Sequence, residues 1–502
     1  MGNGFINKTV LKRIFLYGIA LIAGLILLSP FLITWSINTS YIKNKISFFL
    51  YQKTGTHING SNLSLAILPN PSISVNKLVL NPDKRIKLTI DFIKLNFDIK
   101  QLLQGKINVN QITIDRPEIK PMPIEEKSFN SPLNNYFSNI TQDLKKIFVF
   151  LPDHQSSVEI RFKNAISQYF KQMDGSVYLS KKNKEIILNT IIKKIKFKPS
   201  SLSKTVFEKY PELDYIELDQ LKVFTTINLN GEIKGRCTFI KPKLYSKNKN
   251  ILLRSNLIKS SFKLAEEGCK LVITPFKLNH PEGIVGIQFE NNYTKKKSSL
   301  RFTGTDIHID PARQMSLRLF KDNEIVTKIF QIVRKGIVPK VAVSFHGKDF
   351  KDLFKGNHLR LKGNIKNGSV VIPATDITAS EVNGNVNIRN GILDIKTTKA
   401  IIQNSRLEKA SLSIDLLNYK NVPFQGEFSL DLDLSLLPET LIRLLPETLL
   451  AQELSLVHNV EGQSKAALTL LMEPDSTLLG VKINAENFSA RGYYDRIPGK
   501  IS

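Results

Sequence analysis

Residues able to do chemistry are sparse and scattered in this chain. Its seven histidines stand at 57, 154, 280, 308, 346, 358 and 458, with no His-Glu-x-x-His and no His/Cys cluster at metal spacing. No Walker loop or Gly-x-Gly-x-x-Gly turn offers backbone amides to a nucleotide, and no Gly-x-Ser-x-Gly elbow presents a nucleophile. Asp306, His308 and Asp310 fall at i, i+2 and i+4 and on a strand would share one face, a geometry that can hold a cation. Their simpler role is a solvated strand edge leading into a helix cap. Asp431 and Asp433 also share a face, as outward partners of an apolar ladder. Cys237 and Cys269 are the two cysteines, too few for a disulfide framework or a four-cysteine metal site. In an exported body they could pair with each other; the alternative is two thiols. The residues thus imply no catalytic group, no metal and no cofactor.

The elements that would position a site are strands. Apolar residues alternate with polar ones at period two, the mark of strands with one face buried and one wet. Phe424, Phe428, Leu430, Leu432, Leu434 and Leu436 form the clearest ladder. Leu95, Phe97 and Ile99, then Leu412, Ile414 and Leu416, then Val481, Ile483 and Ala485 repeat it. Some runs slip phase, as where Ile73 and Val75 give way to Leu78 and Leu80, which predicts bulges or short breaks. Asn-Gly pairs at 59–60, 230–231, 367–368, 383–384 and 390–391 predict hairpin turns in an antiparallel meander.

Helices are few. Residues 136–151 are weakly amphipathic after a Pro-containing linker. Asp310-Pro311 reads as a helix cap with Pro in the first turn. Asp322 or Asn323 can cap a second helix along Ile325, Ile329 and Val333, with Gly336 as its stop. LLPETL occurs twice, at 436–441 and 444–449, suggesting two short helices broken at Pro446. So few helices cannot cover the apolar faces of about twenty strands. Two solutions remain: sheets packed on each other, or a long sheet curled so that its apolar face lines a groove filled by acyl chains.

The 502 residues, 42% hydrophobic and 23% charged, fit a mostly water-exposed body of several structural units. A net charge of +27 is spread along the chain without dense runs, as a Lys/Ile/Asn-rich coding bias would leave it. Ile14 to Trp35 is 22 residues without charge, enough at about 1.5 Å per residue to span a hydrocarbon core of about 30 Å. Ile14, Leu21, Leu28 and Trp35 mark this anchor. Lys8, Lys12 and Arg13 before it favour a cytoplasmic N-terminus. The body from residue 38 onward then lies outside, where nucleic acid is no partner.

Several motifs carry a family resemblance. KTGTHINGSNLSLAILPNPSISVNKLVLNP at 53–82, then Leu88 to Ile99, then LLQGKINVNQITIDRPEI at 102–119, resemble the N-terminal region of AsmA-family proteins. The segment from Asp310 to Leu445, notably DPARQ, DNEIVTKIFQIVRKG, LKGNIKNGSVVIP and NGNVNIRNGILDIK, resembles the later part of longer members. Residues 121–300 carry strand patterning alone, and YYDRIPGKIS at the C-terminus reads like the opening of a further repeat. The resemblance implies a mainly β fold: an N-terminal transmembrane helix, then an elongated antiparallel β-sheet groove, β-taco-like, with a few short amphipathic helices. Its expected divisions are a cytoplasmic tail (1–13), the anchor (14–36), an AsmA-like β region (38–120), a linker and helix (121–155) and a central β region (156–309). A helical insertion (310–340), AsmA-like repeats (341–435), a helical segment (436–456) and a C-terminal β region (457–502) follow.

By that resemblance the chain is a single-pass protein of a bacterial inner membrane with a periplasmic body. It binds phospholipid acyl chains and supports lipid transport to the outer membrane, with inner-membrane phospholipids and outer-membrane biogenesis proteins as partners and no enzymatic activity. Phe424, Phe428, Leu430, Leu432 and Leu434 are the candidate groove residues. The alternative is a non-conducting envelope scaffold influencing outer-membrane protein assembly and protein targeting to the membrane.

Overall fold

The computed structural model describes residues 39–41, 43–45, 48, 63–66, 70–83, 86–104, 108–121, 157–167, 173–182, 185–197, 213–319, 324–349, 352–372, 377–417, 424–444, 448–473 and 476–491. The described chain is mainly β with short helices, and it divides into two compact units. One comprises residues 1–197 with 220–231, the other residues 198–219 with 232–502. The expected anchor, Ile14 to Trp35, and nearly all of the expected linker and helix over 121–155 lie outside the described residues. Among the described residues, no helix is long and apolar enough to cross a membrane.

The first unit holds β1 (Leu63–Ala66), β2 (Ser72–Asp83), β3 (Ile86–Phe97), β4 (Val109–Pro121), β5 (Val158–Ser167), β6 (Met173–Lys182) and β7 (Glu185–Phe197). Neighbours in this series pair antiparallel except β4 and β5, which run parallel. The sheet is therefore mixed rather than a pure meander. The expected run through Ile99 stops at Phe97, because the Asp98 carboxylate accepts from Lys100 N at 2.9 Å and so caps α1 (Ile99–Leu103). Leu63, Leu65, Val75, Leu78 and Ile90 form this unit's core, with Ile73, Leu88, Ile93 and Ile114 against it.

The phase slip in β2 is a single left-handed residue. Lys77 has φ 53° while the register with β3 runs through it unshifted, so the pleat reverses and both Val75 and Leu78 are buried. Register places Lys77 opposite Asp91 and Asp91 opposite Arg116, which has φ 46°. In the parallel pair Arg116 lies opposite Asn164, with φ 53°. Left-handed residues thus crease β2, β4 and β5 at one level, with Asp91 of β3 between them in register.

The second unit contains β9 (Ile233–Ile240), β10 (Lys243–Ser246), β11 (Ile251–Ser255), β12 (Leu257–Ala265), β13 (Gly268–His280), β14 (Glu282–Asn292) and β15 (Lys297–His308). Next come α2 (Ile309–Leu319), α3 (Glu324–Ile332), β16 (Val333–Gly347), β17 (Leu359–Val371), β18 (Thr378–Arg389), β19 (Ile392–Ile402), β20 (Ser405–Asp415) and β21 (Phe424–Asp433). α4 (Leu437–Leu444), α5 (Leu449–Ser455), β22 (His458–Glu473) and β23 (Ser476–Arg491) complete it. β8 (Leu213–Asn228) is divided between the two units. From β13 to β23 each strand pairs antiparallel with the next.

Three local expectations resolve differently. Asn390 (φ 53°) and Gly391 (φ 80°) make the expected tight turn between β18 and β19, and Gly231 (φ 77°) closes a turn after β8. Asn367-Gly368 and Asn383-Gly384 instead lie inside β17 and β18, where Asn367 (φ 51°) and Glu381 (φ 50°) are left-handed and belong to a second crease. Asparagine tolerates the left-handed region in mid-strand as readily as in a turn. Here the Asn367 N–H donates to Asn383 Oδ1 at 3.0 Å. Asn59-Gly60 lies outside the described residues.

Gly336 is also no helix stop. α3 ends at Ile332 and β16 begins at once, drawn out by the β-branched Val333, Ile337 and Val338. Gly336 (φ 128°) belongs to the crease, where a Cβ would meet the Gly368 backbone at 2.8 Å. The ladder expected through Leu436 likewise ends early. The Asp433 side chain accepts from Ser435 N and turns Leu434–Leu436 into a 3₁₀ turn before α4.

Candidate functional site

The strand registers of the second unit line up one apolar residue from each of eight consecutive strands. Ile273, Ile287, Phe302, Val343, Leu361, Ile388, Leu393 and Ile414 are successive partners from β13 to β20. Phe424 of β21 continues the row. Paired residues share a face, so period-two alternation in each strand has become a continuous apolar band across the sheet.

The band is covered unequally. From β18 to β20 it is closed, with Ile388 and Leu393 at 1% exposure and Ile414 at 0%. From β13 to β17, Ile273, Ile287, Phe302, Val343 and Leu361 remain half-buried. Four steps of about 4.8 Å between strands make that open stretch roughly 19 Å long.

Helices gather at one end of these strands. The core here includes Ile309 of α2, Ile332 of α3 and Leu434 of the 3₁₀ turn, with Ile329, Phe330 and Leu437 packed against it. Arg313 Nε donates to Phe330 O at 3.0 Å and ties α2 to α3. Ile372, Ile377, Ile402, Phe428, Leu430, Leu432, Leu437, Leu441 and Leu468 line a small cavity under α4. Its volume is about 50 Å³, space for roughly four water-sized groups. Gln403, Ser405 and Thr440 are the polar lining residues, and no charged side chain reaches it. The Thr440 hydroxyl lies 2.7 Å from Leu436 O and 3.1 Å from Gln403 Oε1, both acceptors, and Ser405 Oγ accepts from Asp433 N at 3.2 Å, so each polar lining residue has a partner within the protein.

Three of the five candidate groove residues, Phe428, Leu430 and Leu432, meet at this cavity. Leu434 is buried in the same core. Phe424 is placed by strand register alone. The helix residues Leu437 and Leu441 and the strand-end residues Ile372, Ile377 and Ile402 were not in the expected set. Their signal was present for α4, since Leu437 and Leu441 recur at i, i+4. The strand-end contributors could be found only from the pairing.

Among the described residues, the candidate trio Asp306, His308 and Asp310 is divided between two elements. Asp306 is a left-handed residue (φ 53°) within β15, His308 ends that strand, and Asp310 lies in the first turn of α2. Among the described residues, no group of three or more His, Cys, Asp or Glu is placed to hold a metal ion. Cys237 and Cys269 are free thiols. They lie in β9 and β13, on either side of β12, opposite Ser260 and Leu264. Burial pushes the Cys237 thiol up from its ordinary value, with the Ser260 hydrogen bond opposing. Tyr293 is pushed up to about 12, chiefly by burial and then by its hydrogen bond to Cys269.

No family model, curated protein or solved structure matches the chain.

Proposed function

We propose that the chain is a membrane-anchored lipid-handling protein whose curled β sheet receives phospholipid acyl chains along its apolar band, in the manner of AsmA-like bridge proteins. The observation that carries this reading is the unbroken row Ile273 to Ile414, left half-buried over β13–β17. A bilayer leaflet gives its acyl chains about 15 Å of hydrocarbon depth. The half-buried stretch of roughly 19 Å is therefore long enough for one chain. Water on such a band costs about 25 cal/mol for each Å² of apolar surface, which a lipid tail would recover. No catalytic residue is required, because the tail exchanges one apolar surface for another.

The anchor and the periplasmic placement rest on the uncharged segment and the basic residues before it. Transport toward the outer membrane and contacts with biogenesis proteins belong to the same reading. The small cavity at Phe428 would take the end of a chain and not its whole length. The closed stretch over Ile388, Leu393 and Ile414 favours the second reading, a scaffold whose apolar faces pack on protein.

Photocrosslinking separates the two readings. A benzophenone amino acid replacing Phe302 or Phe428 in the full chain should capture radiolabelled phospholipid in membranes, and the same probe replacing the outward Glu427 should not. Absence of lipid adducts at both inward positions would leave the scaffold reading standing.

A further inference from the structure

The opposite face of the same strands has a register of its own. Arg301 of β15, Ser344 of β16, Arg360 of β17 and Arg389 of β18 are successive partners. His346 and Lys362 lie two residues beyond Ser344 and Arg360 and so share their face. Arg301, Ser344, His346, Arg360, Lys362 and Asn387 line a concavity of about 440 Å³, and no carboxylate is among its lining residues.

The cations there lack counter-ions. Among the described residues, Arg301, Arg360 and Lys362 make no ion pair. The nearest acids by register are engaged elsewhere. Glu290 faces Lys270 at 3.9 Å, and Asp394 accepts from Ser413 Oγ at 2.8 Å. Like charges on adjacent strands repel, and an anion in the concavity would relieve that. His346 senses the same field: burial first, then Arg360 and Lys297, hold its imidazole below the ordinary value. Two guanidinium forks suit the tetrahedral oxygens of a phosphoryl group, which each can bind in bidentate fashion.

We infer that this concavity binds a phosphoryl-bearing anion, gripped by Arg301, Arg360 and Lys362, with the Ser344 hydroxyl and the Asn387 amide as neutral donors. The site lies on the polar face and stands apart from the acyl-chain reading, so failure of the Phe428 crosslink leaves it untouched. The same chemistry is offered by a phospholipid headgroup and by a free phosphorylated solute.

The test is calorimetric titration of the full chain, in non-ionic detergent, with inorganic pyrophosphate. The double substitution Arg301→Gln/Arg360→Gln should weaken binding at least tenfold, because both forks are lost while exposed positions keep the fold. Lys465→Gln, an exposed cation five strands away on β22, should leave it unchanged. No binding by the parent chain overturns the proposal. So does equal weakening by both variants, which would mean diffuse attraction to a basic protein. Displacement of pyrophosphate by short-chain phosphatidic acid but not by glycerol 3-phosphate would assign the site to a lipid headgroup; equal displacement would assign it to free phosphorylated solutes.

Discussion

Glu159 of β5 is a carboxylate held by several neighbouring side chains. Arg161 Nε donates to it at 2.7 Å and Gln111 Nε2 at 3.0 Å, and these bonds, Arg161 first, hold its carboxyl at about 2 against the opposing effect of burial. A depressed folded value stabilises the protein above the unfolded value of 4.5 and loses that contribution as pH falls toward about 2. Glu159→Gln should therefore flatten the acid loss of amide-exchange protection across β4–β6 in that window; an unchanged pH profile would remove Glu159 from the account. Leu432, at 6% exposure, belongs to the other kind of site. Leu432→Asp puts a carboxyl group among apolar side chains, where it is driven to its neutral form and still costs about 2–7 kcal/mol if it finds no hydrogen bond, and should abolish lipid capture by a benzophenone at position 428. Capture persisting in a folded Leu432→Asp chain defeats the groove assignment there. Alternation made Leu430, Leu432 and Leu434 legible as one buried face. It could not say that Ile372 and Ile402 would meet them, because strand pairing joins residues distant in sequence.

The creases decide the behaviour of single strands. A non-glycine residue in the left-handed region costs about 1–2 kcal/mol, and Lys77, Arg116 and Asn164 are aligned across β2, β4 and β5. Lys77→Gly should relieve that cost and raise exchange protection in β2 and β3, whereas Lys77→Val should lower it, since a β-branched side chain resists φ > 0. Equal protection in both variants would mean that the reversed pleat is not strained. In sequence these creases appear as phase slips, which were legible as irregularity but not as its cause. The same ambiguity made Asn367-Gly368 and Asn383-Gly384 look like hairpin turns. Their dipeptides are those of turns, yet β17 and β18 continue past them, and the irregularity appears as shifts of register there. The α3–β16 boundary was misplaced for a related reason: Val333 continues a helical spacing, but pairing with Val370 claims it for the sheet.

For the whole chain, the question is what covers an apolar band wider than its helices. α2, α3 and α4 close one end of the strands, and β18–β20 bury their own part of the row. Five half-buried apolar residues on β13–β17 remain. If lipid completes that surface, a body comprising residues 38–502, purified without detergent, should carry phospholipid in at least equimolar amount when its solvent extract is weighed by mass spectrometry. The bound fraction should fall in a Phe302→Glu/Val343→Glu variant, which charges the band between strands that keep their hydrogen bonds. A lipid-free body would show that protein surfaces close the band, and the same apolar row would then be the core of a packed scaffold. A reporter fused after Ser502 tests the topology independently, because lipid binding and membrane orientation have different causes. It should be active only outside the cytoplasm if, as the proposal requires, the basic residues Lys8, Lys12 and Arg13 keep the N-terminus inside. Cytoplasmic activity would place the apolar band on the other side of the membrane, where it could not serve transport between two bilayers even if lipid were bound.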